Sequence, residues 1–504
     1  MTYCKNNPDH PHRARSLTAV LPLLTIIGVL ATGCGTKTGS TPSGQPIPGQ
    51  NTTVTVMLTS TGNDQLEDYR TFVESLSLKS KSGQIVPLLS SPQESEFSTL
   101  NAGSEPLLTA SVPQGIYTSA TANIGSTYFS CVTYSQNIHI NSFGYGYVPA
   151  QFVTINFPSS ITVSGQSMTL SLDLDLSKSA TWPLPCSTGT TFSITPTFEL
   201  APLDTAPGPA PGEMTALNGT VTTVDPATGS LTVIAADGPK EDVQQTITVT
   251  TGISWIIKAD KNTVFSGING LGGITVGAAI NLDGTLQPDG SILATRISVL
   301  DNDSTSLSVA VGPVEEVVDF EPVVGVLTRQ TEGPLIGELE STEMDFDWSN
   351  ASFHIWSGLA NLQTLPFPAS FSDVDVVAGQ NVAITSHAAS IPYAPNFPSA
   401  ATITLLPQTI DGTVIAVSTS GAFSVYTVTL APYDLFPTLA FSNSYQTSPL
   451  TDPSTVIVYA DGNTASLSSQ PPAVGSLLRF NGVIFNDNGT LRMDCIRIMD
   501  GVAE

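Results

Sequence analysis

Charge is scarce in this chain, and what there is has one sign. Only 12% of the 504 residues are charged, and 16 basic side chains stand against 42 acidic ones, a net charge of −26. Such a surface repels phosphate backbones, which excludes nucleic acid as a partner. Helical periodicity is hard to find after the first 34 residues. Cysteines number five, and Cys131, Cys186 and Cys495 are too few and too far apart for a zinc cluster. The motifs of common enzymes are missing too. There is no Gly-x-Ser-x-Gly elbow, Ser-x-x-Lys, His-Glu-x-x-His, phosphate-binding loop or Cys-x-x-Cys. No catalytic residue, metal or cofactor is expected.

One long apolar run is present, Leu17 to Leu30, preceded by Lys5, Arg13 and Arg15. Its core of about 15 residues is too short to span a bilayer, which takes roughly 20, so it reads as a secretory signal. The run closes on Ala31-Thr32-Gly33-Cys34, which resembles the lipobox of bacterial lipoproteins. The family's preferred Leu three residues before the cysteine is here Ala31, with Leu30 one place earlier. The resemblance implies a signal peptide over 1–33, a thioether-linked diacylglycerol on Cys34, and Cys34 as the first mature residue. Gly35 is not the Asp that retains some lipoproteins at the inner membrane, which favours the outer one. Two or more acyl chains hold a protein stably at a membrane without a spanning segment. Loss of the leader leaves 13 basic against 41 acidic side chains, a net −28.

Residues 34–51, rich in Gly, Pro, Ser and Thr, form a flexible lipidated tether. Strand alternation then begins, with Val54, Val56 and Leu58 on one face and Thr53, Thr55 and Met57 on the other. It closes over Ser167–Leu176, where Met168, Leu170, Leu172 and Leu174 point inward and Asp173 and Asp175 are the exposed half. Short strands at this spacing predict a β-sandwich over 52–202. Cys131 and Cys186 are its natural disulfide pair, closing a loop of about 55 residues worth roughly 4 kcal/mol. Two buried thiols are the alternative. Val112-Pro-Gln-Gly-Ile-Tyr117 and the closing Ser171-Leu-Asp-Leu-Asp175 make the segment similar to the bacterial lipoprotein family called domain of unknown function 4382. That resemblance implies a transthyretin-like sandwich and brings no catalytic residues.

A Pro-rich linker over 203–214 follows, and beyond it the chain repeats itself. Leu217-Asn-Gly-Thr-Val221 is echoed by Ile410-Asp-Gly-Thr-Val414. Val276-Gly277 through Leu282-Asp-Gly284 is echoed by Val474-Gly475 through Phe480-Asn-Gly482. Between them, Val324-Gly-Val-Leu327, Ala378-Gly379 and Ala401-Thr-Ile-Thr-Leu405 keep fragments of the pattern. Three small β-barrel modules are predicted, at 215–303, 314–407 (diverged) and 408–504. The first and last resemble a second bacterial envelope family, domain of unknown function 5666, which implies OB-like barrels. The fold class is therefore all-β and multidomain, a sandwich followed by three OB-like barrel repeats.

Few candidates for chemistry remain. His139, His354 and His387 lie in different modules or far apart and read as strand or loop histidines. Glu338 with Glu340, and Asp345 with Asp347, suit either a cation or plain solvation, and solvation is preferred. Asp301-Asn-Asp-Ser304 lacks the later ligands of a calcium loop and reads as an interdomain turn. Trp348 and Trp356 are expected in the core of the middle module, and Cys495 is expected to pack as a small apolar side chain. Phe143-Gly-Tyr145-Gly-Tyr147 sets three rings around two glycines. Such rings either bind a sugar or a protein partner, or cover the sandwich edge.

These residues lead to a non-catalytic, membrane-tethered envelope lipoprotein acting in adhesion, scaffolding or ligand capture, with a glycan or an envelope protein as partner. The first alternative is a carbohydrate-binding lipoprotein using Phe143, Tyr145 and Tyr147. The second is a carboxylate-dependent hydrolase.

Overall fold

The computed structural model describes residues 45–61, 68–89, 92–97, 104–133, 142–181, 193–203, 212–236, 254–287, 289–303, 308–318, 322–327, 330–332, 343–359, 362–387, 397–431, 434–442 and 450–501. Across them the protein is all-β. Helix is confined to Leu176–Ser179, Leu435–Ser442 and short 3-10 turns.

The N-terminal domain is a sandwich of two sheets. Asn51–Thr61 pairs antiparallel with Ser104–Pro113 and parallel with Ser167–Asp175, and Phe198–Pro202 completes that sheet. The facing sheet is organised by one long strand, Gly115–Thr133. It pairs with Asp68–Ser80 on one side, and with Gln151–Val163 and then Ser142–Val148 on the other. Val54, Val56, Leu58 and Leu170 from the first sheet meet Leu76, Leu78, Ala120 and Ile124 from the second in a single core, burial being worth about 25 cal/mol per Å² of apolar surface. The chain crosses between sheets at the Pro-Gln-Gly-Ile-Tyr motif. There the buried Tyr117 donates its hydroxyl to the Pro113 carbonyl at 2.8 Å, and Gln114 donates from Nε2 to the Gly165 carbonyl at 2.8 Å. The motif is thus a tyrosine-pinned corner.

One expectation for this domain is corrected. Asp173 is buried, not exposed, and Asp175 is half-buried. The outer face of this sheet is not free, because Met57 shares an apolar cluster with Met214, Leu217 and Leu286 of the next module, and Thr55 lies against Gly290. On the same sheet Asp173 stands in register with Thr59 and accepts its hydroxyl at 2.9 Å.

Three modules follow with one connectivity, each built on five principal strands with one or two short ones added. The principal strands are Glu213–Asp225, Ser230–Ala235, Ser254–Lys258, Ala279–Leu286 and Ile292–Asp301 in the first. In the middle module they are Ser308–Val318, Val323–Leu327, Glu343–Asp347, Asn381–Ser386 and Ala400–Leu405. In the third they are Gln408–Ser420, Phe423–Leu430, Thr455–Ala460, Leu477–Asp487 and Thr490–Asp500. The five principal strands run in the order third, second, first, fourth, fifth, and the third and fifth meet in parallel to close the ring. The closure is Ile257–Lys258 on Ile292–Leu293 in the first module and Val456–Tyr459 on Leu491–Asp494 in the last. In the middle, among the described residues, it is one bridge, Asp347 to Ser399. This is the connectivity of an OB-like barrel.

The repeated residues explain the repeated rings. Val221, Val314 and Val414 each precede a β-bulge in the first strand, and each exchanges two backbone hydrogen bonds with the entry to the fourth strand. The amide donors there are Gly277, Gly379 and Gly475, with φ of 91°, 94° and 89°, a region that suits glycine. A second signature is side-chain based. Asp260-Lys-Asn262-Thr263 and Asp461-Gly-Asn463-Thr464 make the same turn, and the threonine hydroxyl donates to the fifth strand at Ala294 (2.7 Å) or Cys495 (2.8 Å).

Candidate functional site

Cys34, Cys186, His139, Glu338 and Glu340 lie outside the described residues. Cys131 is on Gly115–Thr133 in register with Gly144. Phe143, Tyr145 and Tyr147 occupy alternate positions of a strand, Ser142–Val148, rather than a loop. They stand in register with Val132, Ser130 and Tyr128 at the edge of the second sheet. Val148 pairs with Thr127 and Gln151 with Ile124, so this strand and the following Gln151–Val163 run along the same side of one neighbour.

The carboxylates are dispersed. In the middle module Glu316 and Asp345 flank Gly325 across three neighbouring strands. Burial, and then the charge of Asp345, raises the Glu316 carboxyl, and burial raises that of Asp345. Asp347 instead accepts from the Ser349 hydroxyl and amide, which lower it. In the third module burial, and secondly the charge of Asp461, pushes Asp494 up to about 6. Among the described residues no group of three or more His, Cys, Asp or Glu is placed to hold a metal ion. Cys495 is buried in the core of the third barrel, where burial raises its thiol.

Polar chemistry concentrates where modules meet. Arg296 of the first barrel donates to Asp283 at 2.8 Å, to Asn281 at 2.7 Å and to Ser357 of the middle barrel at 3.0 Å, with its guanidinium 4.7 Å from the Trp356 ring centre. Trp356 Nε1 donates to the same Asn281 oxygen at 3.0 Å. Both Trp348 and Trp356 are core residues. His387 Nε2 lies 2.8 Å from Asp301, which ties the end of the first barrel to the middle one, and Asn302 caps Thr275 beside it. In the third barrel Arg492 is held by Asp487 at 2.6 Å and by the Tyr459 hydroxyl, and it faces the ring of Phe367 from the middle barrel at 5.5 Å. Phe367 packs on Tyr459 at 5.0 Å and on Phe485 at 5.7 Å. Arg497 reaches back to Glu213 and Thr215 of the first barrel at 2.9 and 3.1 Å.

Sequence reasoning missed these junctions, because Arg296, Phe367 and Trp356 are separated in the chain and carry no motif. It also missed Phe152. That residue is 78% exposed on Gln151–Val163, opposite Asn123. The signal was available, an aromatic at an outward position of an alternating strand.

The architecture defines a multidomain all-β protein, a sandwich carrying three packed OB-like barrels. No protein family, no curated protein and no solved structure compared with the chain matches it. The two family resemblances therefore rest on their motifs alone.

Proposed function

We propose that this chain is an exported lipoprotein of the bacterial cell envelope, tethered through a diacylglycerol on Cys34 at the outer membrane. It acts without catalysis, as an adhesion, scaffold or ligand-capture protein. The observation that carries the reading is the short apolar leader ending on Gly33-Cys34, followed by a stretch rich in Gly, Pro, Ser and Thr. The resemblances to two envelope families support the same reading. No helix among the described residues is long and apolar enough to cross a membrane.

Expression of the full chain in a bacterium with a lipid-modification pathway tests the assignment. The parent chain takes up a palmitate label and enters the detergent phase, and Cys34→Ala does neither. A parent chain that stays unlabelled and aqueous sinks the tether.

A further inference from the structure

We infer that the outer face of the sandwich's second sheet, around Phe152, is a binding platform for a neutral oligosaccharide. This rests on the ligand-capture form of the reading above and names its ligand class. Phe152 is the most exposed large apolar side chain among the described residues, at 78%. Register places Asn123 directly opposite it and Ser75 one strand further, and the next row is Thr154, Thr121 and Ser77. Directly opposed residues on one face have Cβ atoms about 5 Å apart, so ring and amide are neighbours.

A carboxylate is held at the same row. Glu74 is the extra residue of a β-bulge between Val73 and Ser75, a device that re-aims a side chain. Its Oε2 accepts a hydrogen bond from Asn123 Nδ2. Its Oε1 would lie 3.0 Å from a Cβ at Gly125, so the glycine leaves the room the carboxylate uses. The result is one exposed ring beside a pre-set amide–carboxylate pair, with the hydroxyls of Ser75, Ser77, Thr121 and Thr154 around it and Pro87, Lys79 and Ile85 further along the same face.

That chemistry fits a pyranose. The ring takes the C–H face of the sugar, the carboxylate accepts from vicinal hydroxyls, and little rotamer entropy is lost because the pair is already made. A protein partner would want contiguous apolar area with several anchors, and here the exposed Ile85 on the same face stands three strands away from Phe152. The platform is distinct from Phe143, Tyr145 and Tyr147, although their strand leads into it.

The test titrates the full chain with cellohexaose, laminarihexaose, mannohexaose and chitohexaose by calorimetry, alongside Phe152→Ala, Phe152→Trp and Glu74→Gln. At least one hexaose is expected to bind the parent. Its affinity should fall about tenfold or more in Phe152→Ala and Glu74→Gln and persist in Phe152→Trp, with melting temperatures unchanged. Binding that ignores Phe152→Ala, or no heat with any of the four sugars, overturns the platform. Loss through Tyr145→Ala with Phe152→Ala silent overturns it as well and moves the site to Ser142–Val148. The palmitate label on Cys34 is read separately, so a blank titration on a labelled chain removes the platform and leaves the tether.

Discussion

In the first barrel, Ser230 and Lys258 face each other across the second and third strands, and Ile256 on the same strand is 55% exposed. The matching pair in the third barrel is Val425 and Tyr459, buried with Phe423 and Phe485 against the middle module. Both barrels have the same bulge, the same positive-φ glycine and the same Asp-x-Asn-Thr turn. The ring is therefore specified by backbone-shaping residues, and each ring's role by the side chains on its outer face. Two rings with one topology serve as an exposed outer surface in one place and an intramolecular docking face in another, as expected if function is grafted onto folds.

Phe367→Ala should break the contrast most sharply. It removes a buried ring from between Tyr459, Phe485 and Arg492, and a buried Phe→Ala change costs about 3–5 kcal/mol. Hydrogen exchange along Thr455–Ala460 should accelerate with it. The counterpart Ile256→Ala, on the exposed face, should stay within about 0.5 kcal/mol. Equal effects from the two would mean that the third barrel's face is not an interface.

Gly412→Ala and Gly219→Ala should cost about 2–3 kcal/mol each, because overpacking against fixed backbone has nowhere to relax. A Cβ at Gly412 would meet the Thr429 carbonyl at 2.5 Å, and one at Gly219 would meet that of Ile234. Near-equality is the point, since both glycines serve the ring rather than the face. Denaturation midpoints that differ widely between the two variants would refute a shared role.

These glycines also show what was legible in the chain. The Gly-Thr-Val and Val-Gly repeats marked the barrels because a bulge and a positive-φ turn demand particular residues at fixed spacing. The alternation of Val54, Val56 and Leu58 marked the sandwich core for the same kind of local reason. Asp173 went the other way. Alternation assigns a residue to a face, but only tertiary packing decides whether that face meets water, and here the first barrel covers Met57 beside it. The junctions of Arg296, Trp356 and Phe367, and the Phe152–Asn123–Glu74 row, depend on pairing across distant strands, which no local pattern encodes.

Asp494 sharpens the comparison through pH. Its equivalent in the first barrel is Leu293, each pairing in parallel with the last-matched residue of the third strand, Tyr459 or Lys258. Burial, with the Asp461 charge second, holds Asp494 at about 6, against roughly 4 in an unfolded chain. The folded chain thus keeps a proton that the unfolded chain gives up. The contribution is full below about pH 4 and is lost as pH rises through 6. Asp494→Asn removes that loss, so its stability relative to the parent should climb by about 2 kcal/mol between pH 4 and 7. A difference flat in pH would show that Asp494 is not held protonated.

The smallest effect belongs to the ion pair between Lys258 and Asp289 on the exposed face of the first barrel. Slight burial opposes ionisation of Asp289, but the Lys258 ammonium and the Ser291 hydroxyl and amide outweigh it and hold the carboxyl down to about 2. A lowered carboxylate lends stability above about pH 4 and loses it as pH falls through 2. Read directly, that shift would be worth more than 2 kcal/mol. Both side chains are about half exposed, at 46% and 55%, and solvent screens such pairs to about 0.5 kcal/mol or less. Lys258→Ala should therefore move the midpoint of unfolding at pH 7 by no more than that, and high salt should erase even this difference. A cost near 2 kcal/mol would mean that the pair is shielded from water, and that the first barrel's face is covered as the third's is.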